Sequence, residues 1–236
     1  MKALMTVLLV GSVVTCSLQP SRVAASHNPL AFPAQEGDKL VYADFENVKD
    51  NQPLSNRGGA VRLYGYQESP SSPSKFKGSA AHADMPELVR LNKDDPNRAA
   101  AFDYELQPPN QWAGAGLEVF GLPDKDGKPA ADDVTHFKFL TLQIYVTGVQ
   151  SVTVEFLSRG QGLTIEQGPQ MTFKVTKGFN TYRVPLDQIS QPAWVENKVS
   201  PKEVLKRLTA IHVQVSCNQC PPTKGTMVVD NLVFQK

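Results

Sequence analysis

Short segments in which apolar and polar residues alternate recur along most of the chain, and they constrain the fold more than any other feature. Residues 100–106, 138–148 and 151–159 show the clearest alternation, with Phe102, Leu142 and Val154 on their apolar sides. A period of two is typical of strands that bury one face. Turn residues separate about ten such segments at intervals of roughly eight to twelve residues. This pattern predicts an all-β, antiparallel two-sheet β-sandwich.

One short helix interrupts the strands. Ser200, Pro201 and Glu203 have the order of a capping box, with Ser at the N-cap and Pro in the first turn. Val204, Leu205 and Leu208 give the segment a narrow apolar stripe. We therefore expect about two helical turns before the next strand begins.

The first residues resemble a signal peptide rather than part of the domain. Lys2 precedes an apolar run over residues 3–14, which is too short for a transmembrane span, and Val23-Ala24-Ala25 suits a signal peptidase. We expect residues 1–25 to be cleaved, 26–37 to form an exposed leader and 38–236 to form the domain. The protein is then periplasmic or extracellular. The alternative is a loose lipobox, Val13-Val14-Thr15-Cys16, with a lipid anchor on Cys16.

The charge balance excludes one class of partner. The chain has 24 Lys and Arg against 23 Asp and Glu, and removing residues 1–25 takes away Lys2 and Arg22, which leaves 22 against 23. Nucleic-acid binding needs a clustered cationic surface. We therefore expect no nucleic-acid partner.

The end of the chain contains an unusual acid. Residues 208–216 and 227–234 read as two strands, and Asp230 has the same parity as Val228, Leu232 and Phe234. This parity predicts that the carboxylate points inward. A buried lone carboxylate is costly, so Asp230 needs a cation or several hydrogen-bond donors.

Several segments resemble a known group of folds. These are residues 44–46 (DFE), 178–194, 204–215 and 227–234 (MVVDNLVF). They are similar to galactose-binding-like β-jelly rolls, and most of all to family-11 carbohydrate-binding modules and complex I intermediate-associated protein 30 domains. The resemblance implies an exported, non-catalytic domain that binds a polysaccharide or polyol on a concave sheet. The alternative function is a protein-interaction or assembly factor with the same fold.

The resemblance also implies a structural calcium ion that bridges the first and last strands. Its ligands here are Glu46, Asp44 and Asp230, and Ca²⁺ accepts such oxygen donors. The alternative is that Asp44 and Glu46 are solvated and that Asp230 caps a turn.

The polar face of the sandwich supplies candidate ligand-binding residues. Sugars stack on aromatic rings while neighbouring polar groups bind their hydroxyls. We predict that the ligand lies on a concave sheet that exposes such groups. The predicted ligand-binding residues are Tyr145, Gln143, His212 and Gln214, together with Tyr64 and Trp112. Tyr66 and Trp194 are further aromatic candidates, but Trp194 follows Pro192 and is expected to pack against the edge of the sandwich.

Cys217 and Cys220 form a Cys-x-x-Cys pair. A zinc site lacks further ligands nearby, and a thioredoxin-type couple should open a helix, whereas Pro221 and Pro222 follow here. The remaining interpretation is a disulfide that fixes the shape of the loop. The chain has no G-x-S-x-G, H-E-x-x-H or P-loop motif, and its histidines are isolated in sequence. We therefore predict that it is not an enzyme.

Overall fold

The computed structural model describes most of the predicted domain. It covers residues 37–49, 52–53, 62–67, 72–78, 83–94, 96–107, 113–120, 131–159, 163, 165, 167–217 and 221–236, with the backbone alone for 49, 52, 62, 113–120 and 217. The predicted signal peptide, the lipobox, the leader before Gly37, Trp112 and Cys220 lie outside these residues. In the part that is described, no helix is long and apolar enough to span a membrane.

Two antiparallel sheets form the architecture. The strands of the first sheet are β1 (Lys39–Ala43), β5 (Lys75–Lys77), β6 (Glu87–Arg90), β7 (Arg98–Leu106), β9 (Phe139–Val146), β12 (Asn180–Pro185) and β14 (Thr223–Gln235). They lie in the order β12-β9-β14-β7-β5. In addition, β1 pairs with β14 and β6 pairs with β7. The second has the order β11-β10-β13-β8-β4, from β4 (Arg62–Gln67), β8 (Ala113–Phe120), β10 (Ser151–Leu157), β11 (Gln170–Lys174) and β13 (Ala210–Cys217). A small ribbon joins β2 (Val48–Lys49) to β3 (Gln52–Pro53). The predicted two-sheet sandwich is confirmed.

The core lies between the two sheets and follows the alternation in the sequence. Leu140, Leu142 and Ile144 of β9 are almost fully buried, and so are Val154 and Phe156 of β10. Burying side chains of this size stabilises the folded chain by about 1.5–3 kcal/mol each. The polar residues of the same strands are thereby left on the outer faces of the sandwich.

Two strands of the seven-stranded sheet come very close at Gly225. Gly225 in β14 pairs with Tyr104 in β7, and the Tyr104 hydroxyl donates a hydrogen bond to the carbonyl oxygen of Thr147. A side chain at position 225 would therefore meet both the Tyr104 ring and the Thr147 carbonyl. Glycine is required here because of this space and not because of its backbone angles.

Helix α1 (Pro201–Leu205) is shorter than expected and is not capped in the predicted way. Pro201 does occupy the first turn, but the Ser200 side chain makes no cap hydrogen bond. Instead, the Ser200 carbonyl accepts hydrogen bonds from the Glu203 and Val204 amides. Val204 and Leu205 are buried, so tertiary packing stabilises the helix.

A β-bulge in β14 corrects the predicted orientation of Asp230. The register against β9 shifts between Asp230 and Val233, and Asn231 has a φ of 51°. The side of the strand that faces the core therefore carries Met227 and Val229 before the bulge, and Leu232 and Phe234 after it. Asp230 thus belongs to the outer face of the seven-stranded sheet, although it is fully buried by neighbouring segments.

Candidate functional site

A cleft of ≈ 550 Å³ lies on the outer face of the five-stranded sheet. Its floor comes from strands β4, β10, β11 and β13, and its walls come from Leu163, Ile165, Gln167, Pro192 and Trp194. Because strand residues alternate between faces, the apolar core positions of β10 and β13 leave polar residues in this floor. The sequence pattern that builds the core therefore also builds the cleft.

The register aligns the polar residues of the floor in two rows across the sheet. One row contains Gln170, Glu155 and His212, each paired with the next, and the same register continues across β8 to Tyr64 on β4. The neighbouring row contains Thr172, Thr153, Gln214, Gly116 and Tyr66. Consecutive strands lie about 4.8 Å apart, so each row is on the order of 19 Å long. A row of this length can contact several linked rings of an extended ligand.

Glu155 is the centre of a buried hydrogen-bond network in this floor. Its Oε2 accepts a hydrogen bond from His212 Nδ1 at 2.9 Å, and its Oε1 accepts from Gln167 Nε2 and from the Gly168 amide, both at 2.6 Å. Glu155 and His212 are 3% and 7% exposed. These bonds join the floor to the wall at residues 167–168. A carboxylate that accepts three N–H donors is compensated for its burial.

Tyr66 lies against the same network. It pairs with Gly116, which has no side chain, and its hydroxyl reaches Gln214 on the strand beyond and donates a hydrogen bond to Gln214 Oε1. Its ring stacks on the His212 ring, with centroids 4.4 Å apart and an interplanar angle of 29°. The glycine in β8 therefore allows an aromatic ring to cross that strand into the cleft.

Trp194 forms part of one wall, and its position corrects the prediction that it packs at the edge of the sandwich. Its side chain is 63% exposed and lines the cleft. Gln191 fixes the segment, because its Nε2 donates to the Gln167 carbonyl and its Oε1 accepts from the Val199 amide, both at 2.5 Å. An exposed indole on a fixed segment is suited to stacking against a ligand ring.

The predicted ligand-binding residues do not share one surface. His212 and Gln214 line the cleft, and the register places Tyr64 on the same sheet opposite Glu118. Gln143 and Tyr145 belong to β9 in the seven-stranded sheet, so the expectation that all four polar-face residues lie on one concave sheet is wrong. The physical reason is that β9 and β13 belong to opposite layers. Trp112 lies outside the described residues.

The three predicted calcium ligands are neighbours. Asp230 Oδ2 accepts hydrogen bonds from Asn97 Nδ2 and Asn231 Nδ2, both at 3.0 Å, and its Oδ1 accepts from the Asn231 amide at 2.7 Å. Burial, with a smaller contribution from the negative charges of Glu46 and Asp44, raises the pKa of Asp230 from 3.8 to about 7, although the hydrogen bonds from Asn97 and the Asn231 amide act to lower it. Burial also raises the pKa of Asp44.

These acids have the chemistry of a calcium site without converging on one point. Among the residues that the structure describes, no three His, Cys, Asp or Glu side chains form a group that could hold a metal ion unaided. Of the same residues, no Lys or Arg forms a salt bridge with Asp230. Carboxylate and amide oxygens are nevertheless the donors that Ca²⁺ prefers, and backbone carbonyls can complete its shell. Asp44, Glu46, Asp230 and Asn97 therefore fit a hard cation by donor type.

The fold and the cleft define a β-jelly roll with a ligand-sized groove on one sheet. No known family model matches the chain, and no curated protein matches its sequence. Among solved structures, the chain is similar to the family 11 carbohydrate-binding module of the cellulosomal cellulase Lic26A-Cel5E of Clostridium thermocellum, with 14% identity, 84% of this chain and 94% of that chain covered, and a TM-score of 0.51.

Two further modules are similar in the same way. A family 11 module from Clostridium thermocellum in complex with a β-1,3-1,4-mixed-linked tetrasaccharide has 13% identity, with 84% of this chain and 95% of that chain covered and a TM-score of 0.49. A family 30 carbohydrate-binding module has 11% identity, 73% and 99% coverage and a TM-score of 0.46. The expected likeness to family-11 modules is confirmed at the level of the fold. The likeness to complex I intermediate-associated protein 30 domains stays a prediction.

Proposed function

We propose that this protein is an exported, non-catalytic carbohydrate-binding domain that takes a polysaccharide or related polyol in the cleft of the five-stranded sheet. One observation carries the proposal: the cleft combines rows of hydrogen-bonding side chains with two aromatic residues, Tyr66 and the exposed Trp194. Polar groups that bind hydroxyls, together with aromatic faces that stack on sugar rings, are what a carbohydrate site needs. The carbohydrate-binding modules of the same fold support the proposal.

The hydrogen bonds that Glu155 accepts support a non-catalytic function for the protein. A glycosidase needs one carboxyl group that can donate a proton and a second that attacks or activates water. Both oxygens of Glu155 are already used by N–H donors of the protein. This carboxylate therefore stabilises the cleft and is poorly placed to transfer a proton to a ligand.

Replacing Trp194 by alanine is expected to weaken glycan binding about five- to thirtyfold, since the loss of a stacked aromatic ring costs on the order of 1–2 kcal/mol. The measurement is affinity electrophoresis against a panel of soluble polysaccharides, followed by calorimetry on any that retain the protein. Tyr145→Ala is the matched control, because Tyr145 is also an exposed aromatic residue but lies on the opposite sheet.

Three results would contradict this proposal. Absence of retention on every polysaccharide would remove the carbohydrate function itself. Equal losses for Trp194→Ala and Tyr145→Ala would place binding elsewhere than in the cleft. Loss with Tyr145→Ala alone would move the site to the seven-stranded sheet.

A second groove supports the alternative function as a protein-interaction factor. It has a volume of ≈ 740 Å³ and lies beside α1, where Phe137, Leu186, Ile189 and Leu205 form an apolar lining and Lys138 contributes to the rim. Such a groove is suited to an apolar segment of another protein. Co-purification of a partner that is lost on Leu186→Glu, with no response to sugars, would favour this function over carbohydrate binding.

We further propose that a structural Ca²⁺ is held at Asp230 with Asp44, Glu46 and Asn97. When bound, the ion would supply the positive charge that offsets three neighbouring carboxylates, and the hydrogen bond from the Asn231 amide to Asp230 would keep that side chain in place. Asn97 can present its amide oxygen instead of its amide nitrogen by turning about its terminal bond.

Removal of calcium is expected to lower the melting temperature by about 5–10 °C. A ligand at a hundredfold excess over its Kd stabilises the folded chain by about 2.7 kcal/mol, and a chain of this size shifts by about 2–4 °C per kcal/mol. Thermal unfolding with calcium and with chelator measures the difference. Asp230→Asn should abolish it; a melting temperature that chelator leaves unchanged removes the calcium proposal.

Export and the Cys217–Cys220 disulfide are also part of the proposed function. Intact-mass measurement of the protein secreted by its host tests both. Cleavage after Ala25 gives one mass, a lipidated Cys16 gives another, and a disulfide removes two hydrogen masses relative to the reduced chain. Two free thiols in the mature protein would rule out the disulfide.

A further inference from the structure

A chain of four contacting side chains crosses the floor of the cleft: Glu155, His212, Tyr66 and Gln214. The Glu155 carboxylate accepts a hydrogen bond from His212 Nδ1, and the His212 ring stacks on the ring of Tyr66. The Tyr66 hydroxyl in turn donates a hydrogen bond to Gln214 Oε1. Glu155 and His212 are buried, whereas Tyr66 is only half-buried. A ligand can therefore contact the Tyr66 ring more readily than it can contact the two residues that support it.

The Glu155 end of this chain is fixed by backbone groups. The carboxylate oxygen Oε1 accepts hydrogen bonds from the wall, one of them from the Gly168 amide at 2.6 Å. Gly168 lies directly against β10, because a Cβ at this residue would come within 2.0 Å of the Phe156 carbonyl oxygen. The Phe156 amide also donates to the Pro169 carbonyl at 2.9 Å. The carboxylate is thus held from one side, and its other oxygen sets the orientation of His212.

The hydrogen bond from His212 to Glu155 also determines which nitrogen of the imidazole ring carries a proton. A carboxylate only accepts hydrogen bonds, so the ring atom that contacts Oε2 must be an N–H group, and that atom is Nδ1. Such a bond sets the protonated nitrogen of a histidine. It also fixes the ring plane, which lies 29° from the plane of the Tyr66 ring. Glu155 therefore controls both the protonated nitrogen and the orientation of the ring that stacks on Tyr66.

We propose that Glu155 and His212 are positioning residues of the carbohydrate site, which hold the Tyr66 ring in place and act on the ligand through that ring. A side chain that becomes ordered only when the ligand binds reduces the affinity, because its rotational freedom is lost in that step. The Tyr66 ring is already stacked and hydrogen-bonded, so it avoids this cost. This inference rests on the proposed carbohydrate function and assigns a part in it to two buried residues.

The first test needs no ligand. Nitrogen NMR spectra of the protein with isotope-labelled histidine distinguish protonated from unprotonated ring nitrogens at about pH 8, where histidine rings are ordinarily neutral. We expect a proton on Nδ1 of His212, and His212→Asn identifies the signals because they disappear. In Glu155→Gln, the new NH₂ group faces Nδ1 as a donor while the remaining oxygen still accepts from the wall, so the proton is expected to move to Nε2. An unprotonated Nδ1 in the wild-type chain would overturn the proposal, whether or not the variant folds.

The second test is a double-mutant cycle between His212 and Tyr66, measured by affinity electrophoresis in gels that contain mixed-linkage β-glucan, xylan or galactomannan. His212→Asn keeps an N–H donor for Glu155 and removes the ring that stacks on Tyr66. It is expected to weaken binding about fivefold in the wild-type chain and to have no effect in a Tyr66→Ala chain. His136→Asn is the matched control, because His136 also stacks on an aromatic ring, that of Phe137 at 4.0 Å between centroids, but lies outside the described lining of the cleft.

The outcomes separate the positioning role from the carbohydrate function. If His212→Asn weakens binding equally with and without the Tyr66 ring, His212 acts on the ligand directly, and the positioning role is overturned while carbohydrate binding stands. If His212→Asn changes binding no more than His136→Asn does, the positioning role is overturned in the same way. If no polysaccharide retains the wild-type protein, the carbohydrate function fails and the positioning role fails with it, even where Nδ1 of His212 carries the proton.

Discussion

Replacing Asp230 by asparagine is expected to remove a pH-dependent loss of stability that amounts to about 4 kcal/mol in the wild-type chain without calcium. The carboxyl group is fully buried, and burial, with Glu46 and Asp44 nearby, raises its pKa from 3.8 to about 7. Asparagine has nearly the same shape and cannot ionise. The variant therefore keeps the packing and loses the titration.

The sign of the effect follows from proton binding. Between the pKa of the unfolded chain, 3.8, and that of the folded chain, about 7, the folded state holds one proton more than the unfolded state. The free energy of unfolding consequently falls as the pH rises through this window. Above it, the folded chain carries the full cost of the buried charge. Below it, both states are protonated and Asp230 contributes no pH dependence.

Chemical unfolding in chelator at several pH values between 4 and 8 measures this slope. The difference between wild type and Asp230→Asn is the readout, since acids far from Asp230 contribute equally to both. Absolute stability is less informative, because asparagine sets an NH₂ group against the donors of Asn97 and Asn231. Asp84→Asn, at an exposed acid, is the control. Parallel curves for wild type and Asp230→Asn would show that Asp230 titrates normally.

Gly225→Ala is expected to destabilise the protein by about 3–5 kcal/mol, at the upper end of what single substitutions cost. The new Cβ would lie 2.5 Å from the Tyr104 hydroxyl oxygen and still closer to the Thr147 carbonyl oxygen. Neither group can move easily, because Tyr104 is a buried ring and the Thr147 amide is hydrogen-bonded to the Thr226 carbonyl of β14. The strands β14 and β7 would have to separate locally.

Equilibrium unfolding in denaturant measures the loss, and Gly37→Ala provides the comparison, because a Cβ at residue 37 meets nothing within 4 Å. The Gly37 variant should differ from wild type by less than about 0.5 kcal/mol. Tyr104→Phe separates the two contacts, since it removes the hydroxyl and its hydrogen bond to Thr147 while leaving the ring. If the Gly225→Ala chain is as stable as wild type, then β14 and β7 are packed less closely at Gly225 than the distances to Tyr104 and Thr147 indicate.

The strands themselves were predictable from the sequence because their apolar faces are decided locally. The alternating segments at 138–148 and 151–159 correspond to β9 and β10, within two residues at each end. The short edge strands β5 and β6 were not predicted, because three or four residues carry no period and depend on pairing with β7.

The face of the sheet to which Asp230 belongs could not be derived from the alternation of apolar and polar residues alone. A bulge inserts one residue on one strand, and only Asn231, a residue type that tolerates positive φ, marks it in the sequence. The burial of the Asp230 carboxylate was nevertheless predicted, but on the wrong face of the sheet. The three acids and Asn97 come together through loops whose paths no local pattern specifies.

The residues of the cleft could likewise be predicted only in part. The polar parity of His212 and Gln214 could be predicted, but Glu155, the partner of His212, lies on another strand, and strand order decides which polar faces coincide. Alternation assigned Gln143 and Tyr145 to a polar face correctly and could not assign that face to a sheet. Trp194 lies outside any strand, so its exposure depends on the fold of residues 190–199.

Strand β14 pairs with β1, β7 and β9, and its residue Gln235 lies opposite Lys39. The central ladder of the larger sheet therefore cannot assemble on a growing chain until Gln235 has left the ribosome. Contacts between residues so far apart in sequence also form slowly, because the loop between them must close first. The larger sheet is therefore expected to be the last part of the domain to form.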